Sequence, residues 1–171
     1  MVKDILLVDG YNIIFAWKEL KEVADTDLEA ARIRLADILC NYQGYKKNEI
    51  ILIFDGYKSK GNMGSVIHYN DIDIVFTKEA ETADQFIESV SQQMARDYQI
   101  RVATSDGLEQ MTILASGSSR LSARELKREI LEAERDIQTL ADSGTVKKRN
   151  VLLDNLPPEM AAIIEKMRLG E

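Results

Sequence analysis

"ILLVDGYNII", residues 5 to 14, is the stretch on which the fold turns. Four apolar residues run into Asp9-Gly10-Tyr11-Asn12, and the chain becomes apolar again at Ile13. A short, continuous apolar run suits a strand buried on both faces, as in a parallel sheet covered by helices. Asp9-Gly10 taken alone is an ordinary turn signal. In an open α/β sheet, however, ligands bind beyond the carboxyl ends of the strands. A carboxylate at that place is a candidate for chemistry.

Three further runs resemble the first: residues 50–54, 72–76 and 100–103. Helical patterns separate them. Leu28, Ala31, Leu35, Ile38, Leu39 and Tyr42 form an apolar stripe after the capping box Thr26-x-x-Glu29. Ala83, Phe86, Ile87, Val90 and Met94 form another, started by Thr82-x-x-Gln85. Leu108, Met111, Thr112 and Ala115 suggest a short third helix. Ser122-x-x-Glu125 opens a fourth, with Leu126, Ile130, Ala133, Ile137 and Leu140 facing inward. Strands alternating with helices predict an α/β fold built on a parallel sheet. The segment 56–70 reads as a polar loop holding the sole histidine, His68, and residues 116–119 as a turn that conceals a short edge strand around Arg120.

The 171 residues, 45% hydrophobic and 30% charged, suit one soluble domain with a substantial core. Residues 1–143 are expected to form it. Residues 144–171 are expected to be a basic linker and a C-terminal helix, begun by Pro157-Pro158, packed on or extending from the same domain. One cysteine, Cys40, excludes an internal disulfide and a cysteine-built zinc site. No stretch has the apolar length of a signal peptide core or a membrane span, so a cytoplasmic protein without a membrane partner is expected. The net charge of −7 argues against a polyanionic partner. Between Arg120 and Arg149, however, eight Lys/Arg stand against six Asp/Glu, so the acidic excess lies elsewhere.

The acids fall at particular places on this frame. Asp9 follows the first strand, Asp55 the second, Glu79 and Glu81 the third, and Asp106 the fourth. In a parallel sheet these ends share one edge, and Asp84, in the first turn of its helix, belongs to the same edge. Each has a plain structural explanation: Asp9, Asp55 and Asp106 precede glycine in turns, Asp84 favours a helix N-terminus, and Glu79 and Glu81 are solvated loop acids. Their coincidence favours a hard, oxygen-bound cation, Mg²⁺ or Mn²⁺, because so many converging carboxylates repel one another without one. Such ions serve phosphodiester hydrolysis. No P-loop and no G-x-G-x-x-G after a strand are present, and one histidine cannot supply a histidine pair.

Four motifs in order carry a resemblance: Asp9-Gly10-Tyr11-Asn12, Phe54-Asp55-Gly56-Tyr57, Glu81-Thr82-Ala83-Asp84 and Thr104-Ser105-Asp106. Together they resemble the YacP-like branch of the NYN domains, within the PIN-like nuclease superfamily, from about Val2 to Leu140 at least. The resemblance implies a three-layer PIN-like fold, with a central, mainly parallel sheet flanked by helices, and a Mg²⁺- or Mn²⁺-dependent endoribonuclease. It implies Asp9, Asp84 and Asp106 as metal ligands, Glu81 and Asp55 as accessory acids, and Asn12 as the residue that steadies the first loop or a phosphate. It also makes mRNA a candidate substrate and the ribosome a candidate partner.

RNA needs basic neighbours beside that acidic edge. Arg124, Lys127, Arg128 and Arg135 share one face of the fourth helix, which is equally the pattern of a solvated face. Lys58 and Lys60, Arg120, and Lys147-Lys148-Arg149 are further clusters. Tyr11, Tyr57 and Trp17 can stack on bases if exposed, though aromatic residues are more commonly core. The expected activity is hydrolysis that leaves a 5′-phosphate and a 3′-hydroxyl. Two alternatives stand beside it: a non-catalytic RNA- or ribosome-binding module, and a receiver-like phospho-accepting domain using Asp55 and Asp9.

Overall fold

The computed structural model describes residues 3–56, 63–105, 107 and 117–142. The chain runs β1 (Lys3–Asp9), α1 (Gly10–Ala16), α2 (Lys18–Thr26), α3 (Leu28–Lys46), β2 (Glu49–Phe54), β3 (Ser65–Tyr69), β4 (Ile72–Phe76), α4 (Ala83–Met94), β5 (Tyr98–Ala103), β6 (Ser119–Leu121) and α5 (Ala123–Asp142). The strands form one sheet in the order β3-β4-β2-β1-β5-β6. All neighbours are parallel except β3, which runs antiparallel to β4 at the edge.

The sheet has two covered faces because its central strands carry apolar residues at successive positions, residues 5–8 in β1 and 50–54 in β2. Leu6, Val8, Leu52, Phe54 and Ile74 pack with α1, α2, α3 and α5 on one side. Ile5, Leu7, Ile51, Ile53, Val75 and Val102 pack with α4 on the other. Alternation along each strand sends successive side chains to opposite layers. The register sets Val8 level with Leu52 and Ala103, so β1, β2 and β5 end at one edge. From β1 the chain first builds outward through β2 and β4, then crosses to β5 on β1's other side. The crevice of this α/β sheet therefore lies between the carboxyl ends of β1 and β5.

Several elements differ from the sequence reading. Residues 10–26, given no element above, form α1 and α2, broken at Trp17, whose extended backbone ends the first helix. The Trp17 indole donates to the Ala123 carbonyl at 2.9 Å, which ties this break to the start of α5. Trp17 is thus core. The cap of α3 is Asp27, accepting from the Ala30 N–H at 3.1 Å; Thr26 closes the preceding helix instead. Leu28, expected inward, is exposed. The polar segment 56–70 contains β3, hidden from the sequence pattern because an edge strand buries little of itself. His68 lies on that strand, paired through Nδ1 with the buried Asp73 carboxylate. The Thr82–Gln85 capping box forms as expected, and Ser122 caps α5 through the Glu125 N–H. In α5, Leu126, Ile130 and Ala133 are buried, but Ile137 and Leu140 are exposed, contrary to expectation. Cys40 is half-buried, with Sγ 3.5 Å from the Tyr69 carbonyl, and burial pushes its thiol up. The expected helix over residues 108–115 and the segment 144–171 lie outside the described residues.

A polar knot joins α3, α5 and β5. The Tyr42 hydroxyl donates to Glu129 at 2.6 Å, and Arg101 reaches both carboxylate oxygens of Glu129 at 3.1 Å. Burial and the Glu129 carboxylate push the Tyr42 hydroxyl up to about 12. Burial alone would raise Glu129, but the Tyr42 hydroxyl and the Arg101 guanidinium outweigh it and hold that carboxyl below its ordinary value. A lowered carboxyl contributes stability above its unfolded pKa, which is lost as pH falls through the folded value. Glu129→Gln is expected to cost about 2 kcal/mol at neutral pH, the scale of a charged hydrogen bond. The melting temperature should fall by roughly 4–8 °C. The gap from the parent should narrow as pH falls below 4.5, the group's ordinary value. Thermal melts of both proteins across that range test it; a gap independent of pH would contradict the assignment.

Candidate active site

Asp9 occupies the last position of β1, where the strand hands over to α1. Its backbone caps the helix, but its side chain makes no capping hydrogen bond to α1. It is 7% exposed, at the mouth of the sheet crevice. Gly10 follows because nothing larger fits: a Cβ there would lie 2.3 Å from the Phe54 ring and 3.0 Å from the Ile53 carbonyl oxygen. Close approach to β2, rather than a turn that only glycine can make, explains this glycine.

One turn further, Asn12 crosses the crevice. Its Oδ1 accepts the Ser105 N–H at 2.6 Å and the Ser105 hydroxyl as well. The end of β5 is thereby clamped to α1. Asn12→Ala removes the acceptor of an exposed hydrogen bond, which water can partly replace, at about 0.5–1.5 kcal/mol. Asn12→Asp keeps an acceptor but adds a charge to an acidic crevice. On the expected nuclease activity, the Ala variant should melt lower and the Asp variant should show the greater loss of cleavage. Melts and RNA cleavage rates on both variants decide it; equal losses in both measurements would reduce Asn12 to a brace.

A concavity of about 430 Å³ opens at this edge, lined by Asp9, Tyr11, Asn12, Phe15, Ala16, Asp55, Ala83, Asp84 and Ser105. Three carboxylates from three elements meet in it: the end of β1, the residue after β2, and the first turn of α4. Asp106, the next residue after Ser105, lies outside the described residues. Asp9, Asp55 and Asp84 are oxygen donors, with no thiol or imidazole among them, so their chemistry suits a hard divalent cation. Among the described residues, no three of the His, Cys, Asp and Glu side chains are gathered closely enough to hold an ion by themselves.

Glu81 stands beside this concavity without lining it. Burial pushes its carboxyl up, against the opposing pull of Lys78. The loop that carries it is held by a residue to which the sequence reading assigned no role. Buried Thr77 accepts the Gly56 N–H through Oγ1 at 2.8 Å and donates the same hydroxyl to the Glu81 carbonyl at 2.8 Å. It therefore ties the segment after Asp55 to the segment before Asp84. Ala80, between Glu79 and Glu81, adopts a left-handed backbone with φ 64°, which is uncommon for a residue with a Cβ. Ser105 was visible in the Thr-Ser-Asp motif; Thr77 had no sequence signal at all.

The cations are distributed differently from expectation. Arg124, Lys127, Arg128 and Arg135 do share one face of α5, lining a second concavity of about 300 Å³ with Leu131 and Glu132. Lys127 is already engaged: its ammonium lies 2.6 Å from Glu19 on α2 and 5.9 Å from the Trp17 ring centre. The Glu19 carboxyl is held low chiefly by that hydrogen bond. Arg120 sits in the middle of β6, exposed, and lines neither concavity. Lys58, Lys60 and Lys147-Lys148-Arg149 lie outside the described residues. Among the described residues, no helix is long and apolar enough to cross a membrane.

Comparison with known proteins places these features in context. The family model of the YacP-like NYN domain matches residues 6–169. The YacP protein of Bacillus subtilis strain 168 is 40% identical over 169 residues, covering 98% of each chain. The crystal structure of Rae1 (YacP) from Bacillus subtilis is 39% identical and superposes with a TM-score of 0.69, covering 98% of this chain and 95% of the other. A tryptophan-to-leucine variant of that protein gives 39% identity and a TM-score of 0.72, over 98% and 96% of the chains. The three-layer fold with its mostly parallel six-stranded sheet matches these structures.

Proposed function

The chain belongs to the YacP-like NYN domain family, which is nuclease-like, and on that premise we propose that it is a metal-dependent endoribonuclease. Its substrate is the phosphodiester backbone of RNA, and of mRNA on the ribosome in particular, which places it in the cytoplasm. The observation that carries this reading is the meeting of Asp9, Asp55 and Asp84 in the crevice at the carboxyl edge of the sheet.

Asp9, Asp84 and Asp106 would hold Mg²⁺ or Mn²⁺, with Asp55 as an accessory acid. A bound divalent cation supplies positive charge that lowers the pKa of water and offsets the charge gathering on the phosphate. The chain's own residues do the rest. Asn12 holds Ser105, and with it the start of the segment leading to Asp106, against α1. Thr77 holds the segments bearing Asp55 and Glu81 together. Glu81, whose carboxyl burial pushes up, is a further acid on the segment that leads to Asp84. Cleavage of an end-labelled RNA with and without Mn²⁺ tests the reading. Internal cuts that need the metal are expected; an RNA left intact with the metal present would leave a binding module instead.

The α5 concavity holds the RNA backbone through Arg124 and Arg128. Each phosphate contact on a single strand contributes about 0.7 to the slope of log affinity against log salt. The Arg124→Ala/Arg128→Ala double variant should therefore be shallower by about 1.4. Lys127→Ala should change the slope little, because Glu19 already neutralises that ammonium. Binding titrations at several salt concentrations read both outcomes. An unchanged slope in the double variant returns this face to ordinary solvation.

A further inference from the structure

Phe15 forms part of the wall of the acid concavity, and the hydrolytic chemistry does not use it. It is 50% exposed, yet it lines the same concavity as Asp9, Asp55 and Asp84. It is also the outer end of a line of rings. Phe76 and Phe54 stack at 5.5 Å between centroids, Phe54 and Tyr11 meet at 5.0 Å, and Tyr11 and Phe15 at 6.5 Å. Arg32 braces this line from within: its guanidinium lies 5.8 Å over Phe76 and donates to the Tyr11 hydroxyl at 3.0 Å. An isolated exposed apolar side chain is commonplace. This ring sits beside Tyr11 in the wall of a polar, acid-lined crevice. Its position in the chain adds to this. Phe15 and Ala16 line the acid concavity, and the next residue, Trp17, lies under Lys127 of the basic one. The turn bearing Phe15 thus joins the carboxylates to the cations of α5.

We infer that Phe15 is a stacking platform for an unpaired nucleobase of the RNA strand whose phosphodiester lies at Asp9, Asp55 and Asp84. The inference rests on the endoribonuclease reading and deepens it. Base–aromatic stacking is tolerant of sequence, because every base has a π-face. A base inside a duplex has both faces covered and must be unstacked before it can reach the ring. The role is one of binding: Phe15 touches the substrate but carries no proton and holds no ion.

The test uses 2′-O-methyl single strands of roughly 12 nucleotides, within the site sizes of single-strand binders, in buffer containing Mn²⁺, with each strand run on a gel after titration to show that it is uncut. One strand is intact and one is abasic, and both are titrated against the parent, Phe15→Ala, Phe15→Leu and Phe15→Trp by fluorescence anisotropy. Phe15→Ala and Phe15→Leu should bind the intact strand about tenfold more weakly, Phe15→Trp as tightly as the parent, and all four should bind the abasic strand alike. The added indole of Phe15→Trp should be quenched by the intact strand only, over the constant emission of buried Trp17. Parental affinity in Phe15→Ala, or an equal loss on the abasic strand, overturns the inference. Leu keeps the apolar bulk, so a loss in Ala that Leu restores also overturns it. The two readings fail separately. A parent that leaves natural RNA uncut sinks the nuclease assignment, whereas one that cuts RNA while Phe15→Ala binds normally sinks only the stacking role.

Discussion

An Asp9→Asn protein is expected to lose RNA cleavage by about a thousandfold, the scale of removing a few kcal/mol of charge stabilisation from the reaction, while melting at or above the parental temperature. Asn has the same shape as Asp but no charge to hold a divalent cation. The fold does not need the charge for capping, because the Asp9 side chain makes no capping hydrogen bond to α1. Asp9 also shares its concavity with the carboxylates of Asp55 and Asp84. Neutralising one of three converging carboxylates relieves repulsion in the metal-free protein. Initial cleavage rates on one labelled RNA in Mn²⁺, with thermal melts of both proteins, give the answer. Parental rates would remove Asp9 from the site, and a matched fall in rate and melting temperature would make it structural.

Gly10→Ala is expected to destabilise the protein by about 2 kcal/mol, within the range for overpacking a closed core, although alanine is the better helix former. The new methyl carbon would lie 2.3 and 2.6 Å from two atoms of the Phe54 ring and 3.0 Å from the Ile53 carbonyl oxygen. Phe54 cannot easily retreat, being 1% exposed and flanked by Tyr11 and Phe76. The Ile53 oxygen belongs to the paired backbone of β2 and cannot retreat either. A fall of roughly 4–8 °C in melting temperature follows. Gly44→Ala is the control. It is also helical, but a Cβ there meets nothing within 4 Å, so the same substitution should stabilise by about 0.5–1 kcal/mol. Melts of the two variants separate packing from helix propensity: if both rise, the contact with Phe54 is not what demands glycine at position 10.

Cleavage should also suffer in Gly10→Ala, because the displaced ring supports the site. Phe54 lies under Tyr11, which lines the acid concavity, and immediately precedes Asp55, which lines it too. Stability and chemistry meet at this contact, whereas in Asp9→Asn they separate.

Read along the chain, β1, β2, β4 and β5 were legible because strands buried on both faces carry short, largely apolar runs. For the same reason α3 and α4 were legible: a helix packed on a sheet carries its apolar residues at helical spacing. The acids at the strand ends followed, since parallel strands necessarily finish at one edge, and the family was legible from four short motifs in order. Other features left no such periodic mark. Strand β3 pairs on one side only and buries too little of itself to leave an alternating pattern. The pair α1 and α2 is broken by Trp17, whose indole bonds to a residue 106 positions away. Asp27 rather than Thr26 caps α3, a choice between adjacent residues that local composition leaves level.

What the sequence by itself determined is the layered α/β architecture and the edge on which Asp9, Asp55 and Asp84 gather, because both follow from hydrophobic period and chain direction. What only the tertiary structure decided is which groups are held and which are spent: Asn12 on Ser105, Thr77 on Gly56 and Glu81, Lys127 on Glu19, Gly10 against Phe54. Apart from Thr77 to Glu81, each of these is a contact between residues far apart in the chain, made or refused within a few tenths of an ångström. Such contacts are set by the packing of the whole domain, and no local pattern of residues encodes them.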